Sequence, residues 1–433
     1  MIVFRLKTIR INQVKFVLMQ YEQTTALQRL RSLIEHCIYA VVFFLPFSLN
    51  VSTFFLAAAC VLWLAEMVTE RNFFFQPNLF DKAVFLFVIL SAASIFSSPD
   101  RSFSYYNYYH LMGRYIALYY LVIYHIHRLD QVKKIIWSLL GASFLVALYG
   151  FYQYAYGMDM FAFEWVDGEQ FPELKMRVFS TFQNPNLLAG FLVIVLAILP
   201  GFGLCQQKKS VQLLLLILTV ILGSCLILTY SRGAWISVLA VFLAYSIFFN
   251  RKVLWLLLLI PFLALFSYDS VLERLASIIH PTDTSSALRW ALWESTIAMI
   301  VYNPFAGIGW GSYWMVYHEY DFFIKNPATT IFHAHNMYLH IAAEIGIPGF
   351  IAFMYILYGH SRQAFAIITS AKDIWVKGIV FGVLSAFLGI AVNGLTDHVL
   401  FNTQLSMLFW LLSAIIIVAG KEQIFSKKFS QMP

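Results

Sequence analysis

Apolar residues dominate the chain in long blocks separated by short polar breaks. Twelve such blocks approach the length of about 20 residues needed to cross a bilayer core. They fall near 33–49, 51–68, 80–97, 110–127, 132–153, 186–204, 210–229, 233–249, 252–267, 336–357, 376–396 and 402–420. Most connections are short, but two, about 154–185 and about 268–335, are long. Long connections in a compact protein are usually functional. The pattern predicts an all-α integral membrane protein with about 12 transmembrane helices. A basic arm over 1–32 precedes a single polytopic domain over 33–420, and a short tail over 421–433 follows.

Composition agrees with that pattern. The 433 residues are 61% hydrophobic and 12% charged, against roughly 25% charged in soluble domains. Of 29 lysines and arginines, only Arg101, Arg114, Lys175, Arg177, Arg232, Arg274, Arg289 and Lys325 fall on the side opposite the N-terminus. This bias places both termini in the cytoplasm. The net charge of +7 is thereby explained by topology rather than by nucleic-acid binding. The arm lacks the compact apolar core of a cleavable signal peptide. Cys37, Cys60, Cys205 and Cys225 lie in or beside predicted spans with no paired spacing, which argues against a disulfide frame or a cysteine zinc site.

Chemistry-bearing residues collect on the outward side. The turn "TYSRGAW" is too short to carry Arg232 far from the membrane boundary, so this arginine should have an anionic partner. The stretch "SSALRWALWESTIAMIVYNP" predicts an interfacial helix ended by Asn303-Pro304, with Arg289, Trp293 and Thr296 on one side. Gly307, Gly309 and Gly311 follow it. They permit a tight backbone path, but no strand precedes them and a nucleotide-binding reading fails. Asn336, His340 and Glu344 recur every fourth residue and form a polar stripe at the start of the tenth span, with His335 offset to another face. Metal binding by His333, His335 and His340 is disfavoured, since no carboxylate or cysteine sits at a familiar ligand spacing beside them. Asp397-His398, at the outer end of the eleventh span, is a lesser candidate for acceptor contact. Glu319-Tyr320-Asp321 and Asp167-Gly168-Glu169 come nearest to a metal–diphosphate motif and look like ordinary solvated loops.

Together, "TYSRGAW", "ALRWALWESTIAMIVYNPFAGIGWGSYW" and His335-Asn336 followed after nine residues by Gly346 resemble the O-antigen ligase family. The resemblance covers about residues 175–360 and includes "RVFSTFQNPNLLAGFL", which Arg177 opens. It implies a membrane glycosyltransferase (GT-C-like) architecture in which a large outward loop caps a lipid-accessible cavity. Its activity would be transfer of a glycan from an undecaprenyl diphosphate carrier to an acceptor hydroxyl, most simply on lipid A-core, at the periplasmic face of the bacterial inner membrane. The functional set carried over is His335, Arg232 and Arg289, supported by Asn336, His340, Glu344, Asp397 and Arg177. A histidine is suited to act as base near neutral pH, and arginine forks match phosphate oxygens. Glu344 or Asn336 is a candidate orienting group for His335, with a buried, neutral packing residue as the alternative reading of Glu344. No cofactor and no metal are expected, and a base without a nearby carboxylate nucleophile suits direct displacement with inversion. Surface-polysaccharide polymerases and protein O-oligosaccharyltransferases share this core and remain alternatives. A transporter fits less well, because ionisable residues gather at one face without visible duplication.

Overall fold

The computed structural model describes residues 26–73, 77–157, 177–258, 284–322 and 330–429, and within them the regular elements are all helical. The helices in chain order are α1 (26–44), α2 (Leu49–Glu70), α3 (Asp81–Ser94), α4 (Arg101–His125), α5 (Leu129–Tyr156), α6 (Pro185–Leu204), α7 (Lys209–Ile227) and α8 (Arg232–Phe248). After them come α9 (Thr284–Tyr302), α10 (Met337–Ser370), α11 (Ile374–Asn393) and α12 (Thr403–Phe429), with a single turn at Tyr313–Val316 between α9 and α10.

Seven of the described helices (α2, α5, α6, α7, α10, α11 and α12) are long and apolar enough to cross a membrane. Helices α1, α3, α4 and α8 coincide with four more predicted spans but are shorter or more polar; α4 opens on "RSFSYYNYYH". The expected ninth span begins as a 3-10 turn at Arg251–Leu258, and its remainder lies outside the described residues. Helix is already present at residue 26, inside the stretch read as an arm, and Arg31 there pairs with Glu66 at 2.6 Å.

α6, α11 and α12 are the buried centre, whereas α2 and α7 turn much of their apolar surface outward, as lipid-facing helices do. Small residues let the central helices approach closely. A Cβ on Gly201 of α6 would sit 2.2 Å from the Gly378 carbonyl of α11. Beside Pro200, the Tyr245 hydroxyl of α8 enters the α6 hydrogen-bond ladder. It donates to the Ala197 carbonyl at 2.7 Å and accepts from the Gly201 N–H at 3.1 Å.

One irregularity shapes the end of the bundle where α9 meets α10. α10 breaks at Gly346, whose φ is +72°, just before Pro348. The carbonyls freed by that break accept from the glycine loop after α9: Ile308 N–H donates to Ala343 O at 2.8 Å and Gly309 N–H to Glu344 O at 3.1 Å. In return, Ile347 N–H donates to Pro304 O at 2.8 Å. No side chain fits between the strands of this interlock, since a Cβ on Gly346 would lie 2.2 Å from Phe305 O and one on Gly307 2.4 Å from Glu344 O. The stripe expected over the tenth span is therefore a short helical piece, Met337 to Ile345, locked to the loop that follows α9.

Candidate active site

Beyond the C-terminus of a helix, backbone carbonyls lack intrahelical donors. After α11 two other elements, α9 and the start of α10, supply them. Met337 N–H donates to Gly394 O at 2.8 Å, Asn336 Nδ2 to Leu395 O at 3.1 Å, and Arg289 Nε to Thr396 O at 3.1 Å. The segment 394–398 is thus the hub on which α9 and the start of α10 converge.

The element bearing Arg232 meets the same hub. Arg232 is the first residue of α8, reached through a turn in which Tyr230 has φ +53°. Arg177 braces that turn from outside, donating through Nε to Thr229 O and through Nη2 to Asn186 Oδ1, both at 2.8 Å. Next to Arg232, Gly233 packs so tightly that a Cβ would lie 2.2 Å from Thr396 Oγ1. Both arginine-bearing helices are therefore anchored at Thr396. The predicted shared face of α9 is present: Arg289 reaches Thr396, Trp293 Nε1 donates to His335 O at 3.4 Å, and Thr296 Oγ1 lies 2.8 Å from the Tyr313 hydroxyl.

His335 adopts a left-handed backbone conformation, φ +47°, a sparsely used region for a non-glycine residue. Its N–H donates to His333 Nδ1 at 3.3 Å, and the two imidazoles lie with centroids 4.3 Å apart. Asp397 faces both rings, with Oδ1 3.4 Å from His335 Nδ1 and 4.0 Å from His333 Nδ1. The 3.4 Å contact falls short of an aligned hydrogen bond, so it is electrostatic as it stands. Asp397 is only 7% exposed. Burial opposes its ionisation, but His335 beside it, then His333 and Arg289, outweigh burial and hold the carboxyl well below the usual carboxylate range. Burial pushes His333 the other way, down to about 3, helped by His335. Burial, with His340 and His333, also lowers His398 well below the ordinary histidine value.

The orienting group differs from expectation. Asn336 caps α10, its Oδ1 accepting from the N–H groups of Tyr338 and Leu339, both at 3.0 Å. Glu344 lies 3.5 Å from His340 Nε2 and accepts from Tyr313 N–H at 3.3 Å. Neither addresses His335; Asp397 does. The same residue overturns two premises drawn from local spacing. A carboxylate does stand beside the base candidate, and His333, His335 and Asp397 bring one donor atom each within 4.8 Å of one another. Local spacing missed this because Asp397 comes from the far end of the next helix. Among the acidic loop pairs, Asp321 accepts from the Tyr317 hydroxyl at 3.3 Å, and Asp167-Gly168-Glu169 lies outside the described residues.

A cavity of about 560 Å³ adjoins the cluster on the side of His340 and His398. Its walls are mainly aromatic and aliphatic, with Trp310, Trp314, Phe332 and Phe401 among them, and Asn107, Glu344 and Asn402 add polar groups. The rings of His340 and His398 lie 4.4 Å apart, and the Nδ1 atoms of both find no hydrogen-bond partner among the described residues. The site thus joins three kinds of group: two arginine-bearing helices anchored at Thr396, an imidazole faced by Asp397, and an apolar cavity lined by His340 and His398.

Residues 216–354 match the family model described as O-antigen ligase. The matched span contains Arg232, Arg289, His335, His340 and Glu344 and stops short of Asp397. A comparison with curated proteins found no match.

Proposed function

From the O-antigen ligase domain carried over residues 216–354, we propose that the chain is a membrane glycosyltransferase that moves a glycan from a polyprenyl (undecaprenyl) diphosphate carrier to an acceptor hydroxyl. The acceptor is most simply lipid A-core, met at the periplasmic face of the inner membrane, with both termini cytoplasmic and a GT-C-like arrangement of about 12 spans. The observation that carries this reading is the convergence at 394–398, where Asp397 faces His335 while the elements bearing Arg289 and Arg232 meet at Thr396.

The donor is already activated, so the reaction needs a base for the acceptor and stabilisation for the departing diphosphate. With its Nδ1–H turned to Asp397, neutral His335 keeps the lone pair on Nε2, which takes the proton of the attacking hydroxyl. Asp397 fixes that tautomer and stabilises the imidazolium that forms. Arg232 and Arg289 grip the diphosphate as charge develops on it. Because these arginines supply the positive charge, transfer proceeds without a divalent metal. Asp397 is occupied with histidine, so the acceptor oxygen attacks the anomeric carbon directly, with inversion. Arg177 and Asn336 are positioning residues, one for the turn before Arg232 and the other for the start of α10.

The test is to mix purified protein with a polyprenyl-diphosphate glycan and three acceptors. Glycosylated core lipid is the expected product. Extension of a second carrier-linked glycan would make the chain a surface-polysaccharide polymerase, and modification of a protein would make it a protein O-oligosaccharyltransferase. Absence of transfer to all three would remove the reading.

A further inference from the structure

The outer cluster has a ligand chemistry that sugar transfer does not use. Zinc in four-coordinate sites takes imidazole and carboxylate ligands at about 2.0–2.2 Å, so two ligand atoms on one ion stand about 3.3 Å apart. His335 Nδ1 and Asp397 Oδ1 are 3.4 Å apart and already match that edge. His333 Nδ1, 4.0 Å from the same oxygen, has to close by roughly 0.7 Å and to exchange the 3.3 Å hydrogen bond it accepts from the His335 N–H for the metal, within the reach of a small side-chain rotation. The left-handed turn at His335 sets the two imidazoles side by side, and His335 Nδ1 has no hydrogen-bond partner among the described residues. Three protein donors with the fourth position left open is the ligand count of zinc sites that also bind water or a small molecule.

We propose that His333, His335 and Asp397 bind a first-row transition metal ion, zinc foremost, and that the bound ion inhibits glycan transfer. The inhibitory half rests on the reading of His335 as base. A metal on Nδ1 takes that nitrogen's lone pair, so the ring's single proton moves to Nε2. The nitrogen that would accept the acceptor's proton is then itself protonated, and Asp397 is diverted from imidazole to metal. Selectivity follows from donor type: imidazole nitrogen suits zinc, cobalt and nickel, while magnesium prefers oxygen and water. The nearby Arg289 guanidinium opposes a cation, and only one carboxylate offsets it, so binding is reversible and weaker than in a closed structural zinc site.

Cobalt(II) is the probe, added to the untagged full-length chain in detergent. The visible absorption of a low-coordinate cobalt site should appear, be displaced by zinc and be untouched by magnesium. His333→Ala should lose the band. His333→Cys should keep it and add a sulfur-to-cobalt charge-transfer band, an outcome that general damage to the fold does not produce. In the transfer assay, each protein is compared with its own zinc-free rate. Zinc should inhibit the wild type, and His333→Ala should need at least about tenfold more zinc for half-inhibition. A wild type without cobalt absorption, an unchanged band in His333→Ala, or equal zinc sensitivity of the two proteins would overturn the proposal. Cobalt absorption needs no turnover, so failure of this site and failure of the transferase reading are seen separately.

Discussion

Two clusters in this molecule pair histidine with carboxylate at the end of a helix bundle, and they differ in whether the pairing is complete. At the end of α4, His125 Nε2 lies 2.9 Å from Glu66 Oε2 and its Nδ1 2.9 Å from the Leu121 carbonyl. The other Glu66 oxygen takes Arg31 at 2.6 Å, and Glu35 nearby accepts from Tyr39 and from Gln131. Every side-chain nitrogen and oxygen of the His125–Glu66 pair is engaged, and neither residue lines the cavity of about 560 Å³. At the opposite end, α4 contributes Asn107 to the cavity, and His335, His340 and His398 each keep an Nδ1 without a hydrogen-bond partner among the described residues. Buried polar groups left unpaired cost about 1–3 kcal/mol each. A closed network spends its groups on holding helices together, whereas an open one beside a cavity keeps them for a ligand. Residue type alone does not separate the two.

That contrast breaks most visibly at His335. His335→Ala should lower transfer by about 10²–10⁴-fold, the usual contribution of a positioned base, while the protein stays inserted with an unaltered melting temperature. Equal rates for variant and wild type would make the His335 cluster as structural as the His125 one. Next in size are the arginines. Lysine keeps the charge and loses the planar fork, so Arg232→Lys and Arg289→Lys should each lose on the order of 10²–10³ in turnover. Arg274→Lys, outside the quoted motifs, serves as the near-normal control. If both site variants turn over normally, the two arginines are surface charges at helix ends. The His125–Glu66 cluster should answer in stability instead. Glu66→Ala strands His125 and should cost about 1–3 kcal/mol, read as a lower melting temperature, with turnover per folded molecule unchanged. A turnover defect at unchanged stability would place function at that end as well. Smallest of all is chelation: EDTA should leave transfer unchanged, or raise it where trace zinc is present. Loss restored by magnesium or manganese would call for oxygen ligands in the reaction.

The spans were legible because lipid imposes length and apolarity: α5, α6, α7 and α11 lie within a few residues of the hydropathy blocks, and α12 starts within one residue of its block but runs nine residues past its end, into the stretch read as a tail. The shared face of Arg289, Trp293 and Thr296 was legible for the same kind of reason, since helical spacing is local. The break in α10 was not. Gly346 and Pro348 sit inside an apolar run that hydropathy passes over, and the need for a glycine there comes from Phe305, which belongs to a different element. Nor did spacing identify the partner of His335. Glu344 was the carboxylate in the right periodicity, yet it is turned to His340 and Tyr313. Asp397 was visible only as a polar pair at the end of a span; its approach to His335 is set by how α10 and α11 pack. Periodicity reports which residues share a helix face, not what that face meets.

The most direct measurement of the central claim is the release of free polyprenyl diphosphate by the purified protein, quantified together with glycosylated acceptor. The wild type should release one diphosphate for each glycan transferred, and His335→Ala should form both products at least about 10²-fold more slowly at matched, folded protein. Release that continues unchanged in His335→Ala, or acceptor glycosylation without diphosphate release, would contradict it.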